Sequence, residues 1–137
     1  MKAFCDTNIL IYAYSSTEAE KAERANSVLF SQPSMISTQV INEFINVGLK
    51  KLALSESQLQ KAIIELSDAF YVSNFSLKTQ QRALDIRTRY KLQYYDSLIV
   101  ATALENECGL LFSEDMQHGL LIEKRLKIVN PFTDLDC

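Results

Sequence analysis

Four acids of this 137-residue chain, Asp6, Glu43, Asp96 and Asp115, stand where apolar runs stop or where helices begin. Asp6 ends the run Ala3-Phe4-Cys5, and Thr7 and Asn8 follow it as capping side chains before a second apolar stretch through Tyr12. Asp115 closes Ser113-Glu114-Asp115, directly after Leu110-Leu111-Phe112. Four carboxylates brought to one rim repel and cannot all ionise without a partner. A hard divalent cation resolves that conflict, and carboxylate oxygens suit Mg²⁺ or Mn²⁺. One or two such ions would activate a water and offset the charge that builds on a phosphate during displacement. Each acid alone has a plainer reading. Asp6 and Asp96 are capping or first-turn acids, Glu43 is a partly exposed helix residue, and Asp115 is a loop acid beside Glu114. The set carries the chemical reading.

For acids so far apart in sequence to meet, several strand ends must share one edge. Thr17 through Gln32 predicts a helix, with Ala22, Ala25, Val28 and Leu29 at helical spacing and Pro33-Ser34 as its stop. Met35-Ile36-Ser37 predicts a second strand. Ser37 or Thr38 then caps a helix to about Lys50, whose apolar side is Val40, Ile41, Phe44, Ile45 and Val47. Ser55 begins another, with Leu59, Ile63, Leu66 and Phe70 at burial intervals, and Tyr71-Val72-Ser73 is a third strand. Ser76 to about Lys91 is helical. Tyr94-Tyr95-Asp96 starts a helix that is apolar nearly all round and therefore central, closed by Cys108-Gly109. Leu110-Leu111-Phe112 and Lys127-Ile128-Val129-Asn130 are the fourth and fifth strands, the last stopped by Pro131. Strands separated by helices give an α/β fold with a parallel sheet covered on both faces. Ligands gather beyond the carboxyl ends of such strands. Asp6 and Asp115 follow strand ends there, Glu43 lies early in the helix leaving the second strand, and Asp96 opens the helix that runs back to feed the fourth.

The length is that of one domain, residues 1–137. Apolar content of 47% with 23% charged residues is that of a soluble globular chain. Asp6 interrupts any signal-peptide core and no apolar run is long enough for a membrane span, so the expectation is a cytoplasmic protein with no membrane partner. Cys5, Cys108 and Cys137 form no close pair, which argues for two packed thiols and a terminal one. The single histidine, His118, excludes a site built on several imidazoles and makes zinc a poor candidate. The net charge of −3 does not exclude nucleic acid, because committing four of the 17 acids to a cation leaves 13 against 14 basic residues.

Asp6-Thr7-Asn8 after a short strand, Asn42-Glu43-Phe44, Tyr95-Asp96-Ser97-Leu98-Ile99-Val100-Ala101-Thr102-Ala103 and Ser113-Glu114-Asp115 together resemble the PIN domain. The chain looks most like its small VapC-type toxins, from about Lys2 to Pro131. That resemblance implies a PIN-like three-layer fold with a five-stranded parallel sheet, order 3-2-1-4-5, flanked by helices. It implies a Mg²⁺- or Mn²⁺-dependent endoribonuclease that forms a homodimer and is restrained by a cognate antitoxin protein. Asp6, Glu43, Asp96 and Asp115 match the family's catalytic, metal-binding acids, and Thr7, Asn8 and Ser113 match the polar residues around them. Asp115 is preferred to Glu114 because the family pattern is Ser or Thr, any residue, then Asp.

Lys78, Arg82, Arg87, Arg89 and Lys91 against Asp85 make a basic segment leading into Asp96. Arg82, Arg87, Arg89 and Lys91 are candidates for holding an RNA backbone, with a solvated helix face as the alternative. Tyr90, Tyr94 and Tyr95 could stack on bases, although packing is the preferred reading. A phosphoacceptor receiver module also places acids and Mg²⁺ at a sheet edge. Asp6 has no acidic neighbour, however, and Lys127 begins rather than ends the last strand. A DNA-directed or non-catalytic PIN-like module is the remaining alternative.

Overall fold

The computed structural model describes residues 1–135. The tail positions Asp136 and Cys137 lie outside the described residues. The chain runs β1 (Ala3–Cys5), α1 (Thr7–Ala13), α2 (Ala19–Phe30), β2 (Ser34–Ser37), α3 (Thr38–Lys50), α4 (Glu56–Ala69), β3 (Tyr71–Ser73), α5 (Leu77–Tyr90), α6 (Tyr94–Glu105), β4 (Leu110–Phe112), β5 (Leu121–Ile122) and β6 (Leu126–Val129).

Helix starts follow the capping chemistry. Ser37, Ser55 and Ser76 each accept a backbone N–H from the first turn of α3, α4 and α5, and Gln58 and Thr79 return a side-chain bond to complete the last two boxes. Ser97 through Leu104 of α6 are all buried, as an all-round apolar helix requires.

The sheet order is β3-β2-β1-β4-β6-β5. Its five parallel strands take the expected order, with β6 as the fifth of them. The expectation of five strands is corrected by β5, which pairs antiparallel with β6 through Leu121 against Lys127 and Ile122 against Leu126. The connecting turn puts Glu123 and Lys124 at φ 52° and 58°, closed by Arg125 N–H on the Ile122 carbonyl at 3.0 Å. Non-glycine residues enter that region at a cost of about 1 kcal/mol each. Here the turn is held from outside, because Arg82 and Arg89 pair with the Glu123 carboxylate and Tyr90 Oη accepts its N–H.

Two crossovers lead from β1 to β2 and β3 on one side, then α5 and α6 return the chain to β4 on the other side of β1. The order therefore reverses between β1 and β4, where a parallel sheet opens a crevice at its carboxyl edge. The inter-strand ladder runs one residue past the strands at this point. Asp6 N–H donates to the Phe112 carbonyl at 2.9 Å, and Ser113 N–H to that of Val129 at 3.0 Å. Cys5 and Cys108 are buried in the core, and burial pushes their thiols up to about 12 and about 11. They are the packed thiols expected.

Candidate active site

Asp6 leaves β1 at the crevice and is only 4% exposed. Both its oxygens are held. Thr7 N–H donates to Oδ1 at 2.7 Å, making Asp6 the cap of α1, and the Ser113 hydroxyl donates to Oδ2 at 2.8 Å. The capping role and the chemical one therefore coexist in a single carboxyl. Burial pushes Asp6 up to about 7; the bonds from Ser113 and Thr7 oppose that rise, and Asp96 and Glu43 add to it through their charge.

Glu43 comes from the second turn of α3. Its Oε2 accepts the Thr7 hydroxyl at 2.7 Å and its Oε1 accepts Gln39 Nε2 at 3.2 Å. Thr7 thus ties two acids together, one by its backbone and one by its side chain. Gln39 Nε2 also reaches the Tyr95 carbonyl at 3.2 Å, linking α3 to the start of α6.

Asp96 lies in the first turn of α6, half-buried, with no hydrogen-bond or ion-pair partner among the described residues. Burial raises it first, followed by the charges of Asp115 and Glu43. Asp115 is exposed in the loop after β4 and shares a cleft of about 410 Å³ with Asp96, Lys91 and Gln93. The charges of Asp96 and Glu43 thus bear on Asp6, and those of Asp115 and Glu43 on Asp96. Among the described residues, no three His, Cys, Asp or Glu side chains stand close enough together to enclose an ion.

Asn8 Oδ1 accepts the Glu114 N–H at 3.3 Å, while its Nδ2 is buried with no partner among the described residues. Glu114 itself is drawn away from the rim. Its carboxylate accepts Tyr12 Oη at 2.7 Å and Lys21 Nζ at 3.0 Å, and that ammonium stacks 4.7 Å over the Tyr12 ring.

The basic candidates divide. Arg82 and Arg89 are turned to Glu123, and Arg89 also reaches Asp85 at 2.9 Å. Arg87 and Lys91 are exposed and line a cleft of about 420 Å³ that continues, through Lys91, Leu92 and Gln93, into the Asp96–Asp115 cleft. Lys91 sits there because it ends α5 in the left-handed region, φ 56°, with its N–H on the Arg87 carbonyl at 2.8 Å. The packing expectation for the tyrosines describes Tyr90 and Tyr94, which lie against the core, but not Tyr95, which is 66% exposed. His118 Nδ1 accepts the Asn130 N–H at 2.9 Å and is occupied in holding that loop. Gln39 escaped the sequence reading; its only signal was the one-turn spacing to Glu43.

The fold and rim define a class: a parallel α/β domain whose switch-point crevice is edged by carboxylates. The family model of the PIN domain matches residues 3–119, and the chain belongs to that family. Its fold is shared over nearly full length with solved structures. A toxin–antitoxin complex from Klebsiella pneumoniae is 30% identical at a TM-score of 0.72, covering 94% of this chain and 97% of that one. VapBC2 from Rickettsia felis, bound to a fragment of its promoter DNA, is 19% identical at 0.67, covering 95% and 100%. The Mycobacterium tuberculosis toxin VapC20, described as cleaving the sarcin–ricin loop, is 18% identical at 0.65, covering 82% and 91%. No curated protein matches the sequence. No helix among the described residues is long and apolar enough to cross a membrane.

Proposed function

We propose that the chain is a divalent-metal-dependent endoribonuclease, the VapC-type toxin of a toxin–antitoxin pair, acting on RNA in the cytoplasm. One observation carries the reading. Asp6 and Glu43, oriented by neutral donors, lie near enough to Asp96 for their charges to bear on it or be felt by it, and Asp96 shares a cleft with Asp115. Hard oxygen donors with excess negative charge fit Mg²⁺ or Mn²⁺, and the unpaired Asn8 Nδ2 beside them supports a site that takes a further group. The four acids would hold the metal, which supplies an activated water and charge stabilisation at the phosphate.

The chain's own residues supply position. Thr7 and Ser113 fix the planes of the Asp6 and Glu43 carboxyls, so these acids meet substrate without reorganising. Arg87 and Lys91, open along the adjoining clefts, would hold phosphates on either side of the cut. Such contacts carry no sequence information. A cognate antitoxin, supported by the toxin–antitoxin complex among the similar structures, is part of this proposal, and a homodimer is proposed with it.

The test is cleavage of labelled RNA and DNA pools by partner-free protein, with Mg²⁺ or Mn²⁺, with chelator, and with Asp6→Asn and Asp96→Asn. Metal-dependent cuts in RNA that vanish in both variants are expected. Cuts confined to DNA would transfer the reading to a DNA-directed enzyme, and binding without cutting to a non-catalytic module.

A further inference from the structure

A second cleft, about 520 Å³ in volume, includes Glu43 in its lining. Gln39, Asn42, Glu43 and Asn46 form one wall, at the spacing that puts them on one face of α3. Phe75, from the loop after β3, and Tyr95 lie on the other side and are 36% and 66% exposed. Tyr95 packs against the Tyr94 ring, with centroids 5.7 Å apart, and still leaves most of its surface open to the cleft. On the polar wall, Gln39 is 93% buried, its Nε2 is spent on Glu43 and the Tyr95 carbonyl, and its Oε1 has no partner among the described residues. That oxygen is closed off from solvent, so the groups this wall offers a ligand are the exposed amides of Asn42 and Asn46.

We propose that this cleft is a nucleobase subsite: one unpaired base beside the scissile phosphate stacks on Tyr95 or Phe75, with the side-chain amides of Asn42 and Asn46 at its edge. The proposal rests on the ribonuclease reading and adds the origin of base preference, which Arg87 and Lys91 cannot provide. Side-chain amides and aromatic faces are the groups with which proteins read splayed-out bases in single-stranded RNA. The volume falls in the range of roughly 300–1,000 Å³ usual for small-molecule sites. Glu43 belongs to both the acid rim and this wall, so an occupant of the cleft is held within one side chain of the cutting centre.

The experiment uses short single-stranded oligoribonucleotides with 2-aminopurine moved one position at a time, bound to the Asp96→Asn protein. Stacking in the cleft quenches the fluorescence at one position only. Tyr95→Ala and Asn46→Ala, both at exposed positions, should weaken that quenching and reduce affinity about tenfold, and Tyr95→Phe should restore it. In proteins with Asp96 intact, sequencing of the cut ends should show a base preference at that position, flattened by the two alanine variants. Cleavage whose base preference is the same in wild type and both alanine variants overturns the subsite and leaves the nuclease intact. Absence of RNA binding and cleavage in the wild-type protein overturns the nuclease reading and the subsite with it. Conversion of a dimer to a monomer by Tyr95→Ala, with quenching unaltered, would make the cleft a contact between copies of the chain and overturn the proposal.

Discussion

Asp6→Asn should stabilise the metal-free protein near neutral pH while abolishing cleavage. The folded state holds the Asp6 carboxyl at about 7, against 3.8 for the ordinary group, chiefly because burial disfavours the charge. Below pH 4 both folded and unfolded chains carry the proton, and the site costs nothing. Between about pH 4 and 7 the unfolded chain ionises first, so the folded state binds more protons and stability falls as pH rises. Above 7 the whole penalty is present. At about 1.4 kcal/mol per pH unit it amounts to roughly 4 kcal/mol. Relaxation and water around the carboxyl recover part of this, leaving about 2 kcal/mol or more, and a gain of that size raises Tm by roughly 6–8 °C in a domain of this length. Asparagine keeps both contacts, since its oxygen still accepts the Thr7 N–H and its amide can donate to the Ser113 hydroxyl. Thermal unfolding from pH 4 to 8 in chelator is the assay. The variant should gain progressively on the wild type from pH 4 to 7, and Mg²⁺ should close the gap at pH 8 by stabilising only the wild type. A variant less stable than the wild type by the same amount at pH 5 and pH 8 would refute the reasoning, because Asp6 would then be a structural hydrogen-bond acceptor and nothing more.

Asp115→Ala should reduce cleavage roughly 100-fold or more at unchanged Tm, as expected on removing a metal ligand. Glu114→Ala should instead lower stability by about 1–2 kcal/mol, through loss of its Tyr12 and Lys21 bonds, and retain cleavage; the reverse pattern would exchange the two assignments. Arg87→Ala and Lys91→Ala should each weaken RNA binding and reduce the salt dependence of affinity by about one unit of log–log slope, measured between 50 and 200 mM salt. Arg82→Ala should leave that slope nearly unchanged and destabilise the β5–β6 turn through Glu123. Cys5 and Cys108, held at about 12 and about 11 by burial, should react with a thiol reagent only as the protein unfolds.

The parallel strands were legible because each is a short apolar run stopped by a polar or helix-capping residue, and the helices because serine caps and apolar spacing agree. β5 was not. It is two residues long, and its turn carries Glu123-Lys124 where glycine or asparagine would have announced a hairpin. The same turn also bears on α5. Lys78, Arg82, Asp85 and Arg89 share a helix face, but the carboxylate that Arg82 and Arg89 share comes from the unpredicted turn, beyond the reach of local charge patterning. Gln39 was invisible for a related reason. A glutamine near a glutamate in a helix has no signature until the fold brings Tyr95 against it.

Several acids outside the rim are paired with basic side chains. Glu114 is paired with Lys21, Glu123 with Arg82 and Arg89, Asp85 with Arg89, and Asp134 with Arg24. Each of these pairs fastens an element or a loop, and a basic partner satisfies the charge outright. Asp6 and Glu43 are oriented differently, by two hydroxyls, a backbone N–H and an amide, none of which carries charge. Neutral donors fix a carboxylate's direction without cancelling its field, and each oxygen keeps a lone pair for another partner. A lysine or arginine in their place would have made the rim more stable and would have competed with any cation arriving there. The Asp6 penalty, chiefly the cost of burying its charge, is one that a cation bound under the proposed function would offset, and neutralising Asp6 in place should remove the penalty and the activity together.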